Sequence, residues 1–433
     1  MQRLVIRGGK RLEGVLPSMG AKNAALPIMA ACLLVQGPVT LERVPNLADV
    51  RVMISILEFL GAKVTYDPMS TRMEIDATSV NTFHAPYELV KKIHASFDIT
   101  GPLLARFHQA EVPLPGGCVL GYRGVNFHTD GFQALGANVN LEHGYLIAKA
   151  DELKGANLLI GRSSVGATKN IMMAACLAKG TTLLENAARE PEVVDLAHFL
   201  NHCGAKITGA GSSEIRIEGV TKLHGATHRI VSDRLEAGTW ILAGAMTGGN
   251  VTVTDVSPSF LTAFLDKLES TGAEIKRDRH SIAVIGPKEV KPVEILTAPF
   301  PGFPTDLQPQ FVAYLTLANG TSIVTETIFD GRFMYVAELQ RMGADITVSD
   351  RTAVVKGVQK LTGAPVEAPD IRAGIALVVA GLQAEGETSI GGVEFIDRGY
   401  EKPEERLRQL GADVVRIGDT TNLPIGQETS RRA

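Results

Sequence analysis

The phrase Gly-Ala-x-(Val/Ile) recurs six times and constrains the fold more than any other feature of the sequence. Its glycines are separated by 75, 68, 68, 71 and 68 residues, and they are Gly61, Gly136, Gly204, Gly272, Gly343 and Gly411. Regular self-similarity indicates a repeated supersecondary unit, although this period is longer than that of common solenoids. We therefore expect six copies of one unit of about 70 residues.

Each copy combines helical and strand patterns. An apolar helical pattern, such as 50–60, precedes each Gly-Ala, and glycine suits the position that follows a helix. Two short β runs follow, for example 206–208 and 214–218. Another helix and strand come earlier in the unit, as in 171–179 and 181–184. The unit is therefore roughly αβαββ with a preceding or returning strand, which predicts an α/β fold.

The N-terminus resembles the ends of the internal units. The sixth copy ends near Ile417 without its last strand, before the polar tail 418–433. Residues 4–14 have the same pattern as 217–225 and 355–363. We therefore expect the N-terminal segment to complete the sixth unit.

This closure implies two domains of three units each, which agrees with the length of 433 residues. The predicted first domain is 22–231, and the second combines 1–21 with 232–433. The crossings between them would lie near 20–22 and 230–234.

Charge and cysteine content exclude several classes of protein. The net charge is −4 without long blocks of like charge, so no nucleic-acid footprint is present. The longest apolar run, 25–35, is well short of a membrane span, and the N-terminus lacks a signal-peptide pattern. Four cysteines without a Cys-x-x-Cys or His-rich pattern predict neither a disulfide framework nor a zinc site. A soluble cytoplasmic protein is expected.

A loop at 111–124 carries the most conspicuous reactive side chain, Cys118. Two prolines and four glycines within these fourteen residues preclude a continuous helix or a central strand. Such a loop on a rigid scaffold is a usual place for function. The alternative is that Cys118 is a small buried hydrophobe in a turn.

Equivalent positions of the six units should lie at the same end of the molecule. The predicted starts of the first helices carry Lys22, Asn23, His94, Gly166, Glu236, Asp306 and Arg372. Free N–H groups at helix starts suit anionic ligands. The loops before the second helices carry Cys118, Arg123, Glu190, Arg332 and Arg398. Singly, these residues could be caps or surface ion pairs, but together they predict one anion-binding cleft.

Seven motifs carry a family resemblance that covers about residues 1–417, namely 20–27, 114–118, 164–168, 185–192, 303–306, 325–333 and 396–400. With these motifs the chain resembles the enolpyruvyl transferases that act on UDP-N-acetylglucosamine. The resemblance implies a two-domain inverse α/β barrel with three repeated units per domain.

The resemblance also implies transfer of enolpyruvyl from phosphoenolpyruvate to a sugar 3-hydroxyl, by addition and then elimination of phosphate. Lys22, Arg123 and Arg398 would hold phosphoenolpyruvate. Cys118 would protonate the methylene carbon and become covalently attached, also to the epoxide fosfomycin. Asp306 would take the hydroxyl proton. Neither a metal nor an organic cofactor would be required.

The remaining implied contacts surround the substrates. Arg332 and Arg372 resemble arginines that close the cleft. The positions that match the nucleotide-sugar site are Asn23, His94, Arg162, Ser164, Val165, Gly166, Asp306 and Ile328.

Three departures leave the acceptor open. His94 replaces a usual arginine, Arg162 a usual lysine, and Asn126 a usual aspartate. One alternative is an enolpyruvyl transferase acting on another nucleotide or on shikimate 3-phosphate, although the shikimate enzymes lack the cysteine loop. Another is a binding protein of the same fold without catalysis, although Lys22, Cys118, Asp306 and Arg398 are all retained.

His94 makes a testable difference to nucleotide-sugar binding. An unperturbed histidine has a pKa of about 6.5, whereas arginine stays charged throughout. A nearby diphosphate favours the imidazolium, so the affinity for UDP-N-acetylglucosamine should weaken as pH rises from about 6 to 8. Calorimetry without phosphoenolpyruvate should show His94→Arg binding more tightly at the alkaline end and converging with the wild type at the acid end. Parallel profiles would place His94 away from the phosphates.

Overall fold

The computed structural model describes residues 2–115 and 124–418, and within them the chain has an α/β fold. The helices in these ranges are α1 Lys22–Ala31, α2 Ala48–Phe59, α3 Tyr87–Val90, α4 Thr100–Phe107, α5 Asn126–Ala134, α6 Val165–Ala175, α7 Pro191–His202, α8 Arg234–Met246, α9 Thr262–Ser270, α10 Gln308–Leu315, α11 Val336–Arg341, α12 Ile371–Gln383, α13 Val393–Ile396 and α14 Pro403–Gln409. Short 3-10 turns lead into α4 and α10, at His94–Ile99 and Thr305–Leu307.

The strands are short, mostly of three or five residues. Those before residue 200 are β1 Arg3–Arg7, β2 Glu13–Pro17, β3 Val35–Gln36, β4 Pro38–Glu42, β5 Lys63–Asp67, β6 Arg72–Asp76, β7 Gln109–Pro113, β8 Asn138–Glu142, β9 Tyr145–Lys149, β10 Asn157–Leu159 and β11 Thr181–Glu185. The later ones are β12 Lys206–Thr208, β13 Glu214–Glu218, β14 Leu223–His224, β15 Thr227–Arg229, β16 Asn250–Thr254, β17 Glu274–Asp278, β18 Ser281–Ile285, β19 Glu294–Leu296, β20 Thr321–Thr325, β21 Asp345–Ser349, β22 Thr352–Lys356, β23 Pro365–Glu367, β24 Glu387–Gly391 and β25 Asp413–Ile417.

Six small sheets repeat one strand pattern. Their orders are β15-β4-β6-β5, β7-β9-β8, β10-β11-β13-β12, β2-β16-β18-β17, β19-β20-β22-β21 and β23-β24-β1-β25, beside a two-stranded pair β14-β3. In each of the six, an inner strand is antiparallel to both neighbours, and in five of them a parallel strand adds to one edge. The repeat read from the sequence is thus a repeat of strand pairing.

The N-terminal strand completes the last sheet, as the sequence predicted. In β1, Val5 pairs with Ser389 of β24 and with Val415 of β25, both antiparallel. The next strand, β2, adds parallel to β16, with Val15 opposite Thr252. Residues from the two ends of the chain therefore share one core.

The repeated glycines end the second helix of each unit, also as predicted. All six adopt positive φ, from 92° at Gly343 and Gly411 to 102° at Gly61. The alanine that follows donates its N–H back into the helix, as Ala205 does to the Leu200 carbonyl at 3.0 Å. This left-handed ending is the Schellman pattern, in which glycine avoids the strain on a Cβ.

The predicted first helices were wrong at their ends. The pattern at 171–179 predicted a helix that continues to residue 179, whereas α6 is Val165–Ala175. Its start agrees with the predicted helix start at Gly166, because the Ser164 side chain caps the helix by accepting the Ala167 N–H. Its end comes earlier than predicted, and the chain turns before Thr181 begins β11. Cys176 and Ala178 continue the apolar pattern because they remain buried, although they are no longer helical.

Buried apolar residues form two clusters. The first core cluster spans 21–230, and the second combines 4–16 with 235–414. Helices α8, α10 and α12 pack against one another in the second, and α4 packs against α6 in the first. Among the described residues, none of the helices has the length and hydropathy that a membrane span requires.

We expect Gly272→Ala to lower the free energy of unfolding by about 1 to 2 kcal/mol, the cost of left-handed backbone for a residue with a Cβ. The φ of Gly272 is 98°, and an added Cβ would meet its nearest neighbours at 3.6 Å, so the cost isolates backbone strain. Gly161 is the matched control, since it lies outside the positive-φ region with its nearest neighbour at 3.4 Å. Urea unfolding should leave Gly161→Ala within about 0.5 kcal/mol of the wild type. Equal losses in both variants would contradict this explanation.

Candidate active site

A buried carboxylate joins two of the predicted cations. Asp49, in the first turn of α2, accepts Lys22 Nζ on Oδ2 at 3.0 Å and Arg398 Nε on Oδ1 at 2.8 Å. Lys22 and Asp49 are only 7% and 4% exposed. Lys22 begins α1 in the first core cluster, whereas Arg398 follows α13 in the second. The ion pairs therefore bridge the two clusters.

The charge on Lys22 depends on this pairing. Burial lowers the pKa of Lys22 from its ordinary value, Asp49 opposes that shift, and Arg372 and Arg398 lower the pKa further. Burial disfavours the ammonium because it removes water, and neighbouring guanidiniums repel it. The Asp49 carboxylate is the acid that counters both effects.

Asp306 forms a second bridge between cations. Its Oδ1 accepts Arg332 Nη2 at 2.5 Å, and its Oδ2 accepts Arg372 Nη2 at 3.1 Å. Arg332 is almost fully buried and also donates to the Thr305 carbonyl. Burial alone would lower the pKa of Arg372, but Asp306 and Tyr400 raise it. Two guanidiniums thus pair with one partly exposed carboxylate.

Glu326 positions the loop beside Asp306. Its two oxygens accept the hydroxyls of Thr297 and Thr305, each at 2.9 Å. Oε1 also accepts the backbone N–H groups of Ile328, at 2.7 Å, and Phe329, at 3.2 Å. One buried carboxylate therefore fixes both the residue before Asp306 and the loop of Ile328.

Arg162 also reaches from the first core cluster to the second. Its Nη2 donates to the carbonyls of Thr327, at 2.8 Å, and Ile328, at 3.2 Å. A guanidinium has several donors in a fixed plane, so it can serve two carbonyls at once, which a lysine ammonium does less specifically. The arginine at this position thus has a structural use.

The start of α6 places Ser164, Val165 and Gly166 together. Ser164 caps the helix by accepting the Ala167 N–H on its side chain. A Cβ on Gly166 would lie 3.3 Å from the ring of His128. Burial, with smaller effects from His94 and Lys169, lowers the pKa of His128 to about 3, so this ring is neutral.

Most of the predicted site residues are therefore linked. Asp49 connects Lys22 to Arg398, and direct contacts connect Asp306 to Arg332 and Arg372 and Arg162 to Ile328. Gly166 and His94 lie near His128, Ser164 and Val165 precede Gly166 at the start of α6, and Asn23 follows Lys22 in α1. Cys118 and Arg123 lie outside the described residues. The other cysteines, Cys32, Cys176 and Cys203, are buried, and burial raises the pKa of each thiol.

Sequence reasoning missed Asp49, Glu326 and His128. Asp49 had a usable signal, because buried acids recur in the first turn of the second helix of several units. Glu192 in α7 pairs with Arg234, and Glu404 in α14 pairs with Arg416. Stacking the units at this position would have shown these acids.

The site has a surplus of cations. Lys22, Arg332, Arg372 and Arg398 surround the two carboxylates of Asp49 and Asp306, so these six groups leave two positive charges uncompensated when all are ionised. Preorganised cations in a largely buried place stabilise anionic ligands and developing negative charge. The arrangement suits a small substrate with two anionic groups.

Comparison with known proteins gives a family match over nearly the whole chain. The model of the EPSP synthase (3-phosphoshikimate 1-carboxyvinyltransferase) family matches residues 6–407. The UDP-N-acetylglucosamine 1-carboxyvinyltransferase of Halorhodospira halophila is 49% identical over 419 residues, covering 97% of this chain and 100% of that protein. The enzyme of the same name from Geotalea uraniireducens is 49% identical over 417 residues, covering 96% and 100%.

Solved structures agree on the fold. The enolpyruvyl transferase NikO from Streptomyces tendae superposes with a TM-score of 0.87 at 25% identity, over 96% of this chain and 98% of that one. The EPSP synthase from Acinetobacter baumannii gives a TM-score of 0.76 at 17% identity, over 96% and 100%. The chain therefore has the enolpyruvyl transferase fold.

Proposed function

The chain belongs to the EPSP synthase family of carboxyvinyltransferases, and we propose that it transfers the enolpyruvyl group of phosphoenolpyruvate to the 3-hydroxyl of UDP-N-acetylglucosamine, releasing phosphate. This is the first committed step of peptidoglycan synthesis. Near-complete coverage at 49% identity by relatives named for that activity supports the acceptor. The observation in this chain that carries the proposal is the surplus of buried cations around Asp49 and Asp306.

The chemistry has two steps. In the addition, the 3-hydroxyl oxygen bonds to C2 of phosphoenolpyruvate and a proton adds to its methylene carbon, giving a tetrahedral intermediate. In the elimination, the carbon–oxygen bond to phosphate breaks and a proton leaves the new methyl group. Both steps move a proton to or from carbon, which requires a positioned acid and base, and both develop charge that fixed cations stabilise.

Lys22 and Arg398 are proposed to bind the phosphate and carboxylate of phosphoenolpyruvate, together with Arg123. Their shared partner Asp49 orients them from the protein side. Cys118 is proposed as the acid that protonates the methylene carbon, by its resemblance to the family motif. Cys118 and Arg123 lie outside the described residues, so their roles rest on the sequence.

Asp306 is proposed as the base that accepts the hydroxyl proton. A carboxylate paired with two guanidiniums is a weak base, because both cations favour its ionised form. Arg332 and Arg372 are also the residues proposed to close on the substrates. Their transfer to substrate anions would free Asp306 to accept the proton, so the present ion pairs describe the site before the reaction.

The nucleotide sugar is proposed to lie between the start of α6 and the loop of Ile328. Ser164, Val165 and Gly166 offer first-turn N–H groups, and Arg162 and His94 offer positive charge near a diphosphate. Asn23, which follows Lys22 in α1, is proposed to contact the sugar. Arg162 already contacts the Ile328 loop, so sugar binding and contact between the clusters would be coupled.

We also propose that the chain forms a two-domain inverse α/β barrel of six units, with domains at 22–231 and at 1–21 with 232–433. Two separate core clusters support this division. The antiparallel contact of Gly20 with Ser232 is where the two crossings would lie side by side. Phosphoenolpyruvate and the nucleotide sugar are the proposed partners, and the cytoplasm is the proposed compartment.

The direct test of the acceptor is phosphate release from phosphoenolpyruvate in the presence of different acceptors. We expect release with UDP-N-acetylglucosamine and none with UMP or shikimate 3-phosphate. The three departures from the family pattern lie on the nucleotide side, so related UDP-sugars belong in the panel. Turnover with shikimate 3-phosphate alone, or with no acceptor, would overturn the assignment.

Asp306→Asn should lower the turnover number by about 10²-fold or more, the usual scale for a general base. The variant should also lose roughly 1 to 3 kcal/mol of stability, because two buried guanidiniums lose their charged acceptor. Urea unfolding of the variant, followed by circular dichroism, is the control for a folded protein. Wild-type turnover in Asp306→Asn would rule out the catalytic role.

A further inference from the structure

We propose that Asp49 is a positioning residue for the transfer reaction, which sets both the place and the charge of Lys22 and couples Lys22 to Arg398 across the two core clusters. This inference rests on the proposed function for its kinetic consequence. Its structural basis is the pair of contacts already described, one on each carboxylate oxygen.

The geometry leaves Asp49 little freedom. Its side chain is 6% exposed, beside a Lys22 side chain that is 9% exposed. Arg398 donates its Nε–H to Asp49, so the inner edge of the guanidinium is held against the carboxylate. A rotation of Asp49 would move one cation from each cluster together. Substrate anions that need both cations therefore meet a pair whose separation Asp49 sets.

The electrostatics give Asp49 a second task. Burial lowers the pKa of Lys22, and Arg372 and Arg398 lower it further, while Asp49 raises it through both its charge and its hydrogen bond. A neutral amine would neither bind phosphate strongly nor stabilise developing charge. Replacing the carboxylate by an amide would remove the raising effect and leave the lowering ones.

The acids on the other elements that pack against α1 have partners of their own. Glu192 and Asp195 in α7 pair with Arg234 and His228. In the 3-10 turn His94–Ile99, Asp98 pairs with Lys169 at 3.2 Å. His94, in the same turn, contributes to the lowered pKa of His128. Among these acids, Asp49 is the one that contacts Lys22.

Asp98 provides a matched control. The Asp98–Lys169 pair is also a buried aspartate–lysine pair of the first core cluster, with side chains 7% and 9% exposed. Asp98→Asn should therefore cost comparable stability without changing the charge of Lys22. Asp49→Glu keeps the charge while altering the geometry, so it separates the two tasks of Asp49.

Two measurements test the proposal. The first is the rate of trace acetylation of Lys22 against pH, followed by mass spectrometry, which reports the free amine and needs no enzymatic activity. In Asp49→Asn the amine should become reactive about 1 to 3 pH units lower than in the wild type, the usual effect of removing a close opposite charge. Asp49→Glu and Asp98→Asn should retain the wild-type midpoint.

The second measurement is kcat/KM for phosphoenolpyruvate against pH, at saturating UDP-N-acetylglucosamine. Asp49→Asn should lose about 10²-fold at neutral pH, the scale of a misplaced catalytic group, and its alkaline limb should move to lower pH. Asp49→Glu should lose activity with its limb unmoved. The rate of Cys118 alkylation by iodoacetamide, measured across the same pH range, reports the titration of the thiol. It therefore shows whether a limb of the kcat/KM profile belongs to Cys118.

An unchanged Lys22 titration in Asp49→Asn would overturn the proposal. A loss of activity that is equal at every pH, or a lower KM for phosphoenolpyruvate, would also overturn it. A lower KM would mean that Asp49 competes with the substrate for the cations. If the wild type lacks the transfer activity, the proposed function fails while the acetylation result still decides the role of Asp49.

Discussion

The site depends on two carboxylates that each hold two cations, and one of them, Asp49, joins the two core clusters. Isolated charges cost several kcal/mol to bury, so Lys22, Arg332 and Arg372 require close acids. Asp49 and Asp306 meet that requirement and leave a positive surplus for substrate. Cations that are held in place before the substrate arrives are a condition for electrostatic catalysis.

The sequence was most informative where the backbone requires one residue type. The repeated glycines predicted the unit because only a residue without Cβ ends a helix at positive φ without strain. The likeness of 4–14 to internal segments predicted the N-terminal strand of the sixth sheet. Helix ends such as that of α6 were predicted less well, because burial continues beyond the last helical residue.

The candidate site was predictable in its residue types and less so in its pairings. Lys22, Asp306, Arg332, Arg372 and Arg398 were found from their repeated positions and a family resemblance. The partner shared by Lys22 and Arg398 was not, since the contact of Arg398 with Asp49 joins residues 349 positions apart. Glu326 and His128 act through side-chain orientation inside the core, which no spacing in the sequence encodes.

The most direct test of the central claim is to follow the carbon atoms. Phosphoenolpyruvate labelled with carbon-13 at its methylene carbon would be incubated with UDP-N-acetylglucosamine and the wild-type protein, and followed by NMR. We predict that the label appears in a vinyl ether on the 3-oxygen of the glucosamine ring as phosphate is released. Label that remains in phosphoenolpyruvate, or that is released as pyruvate without sugar attachment, would contradict the assignment.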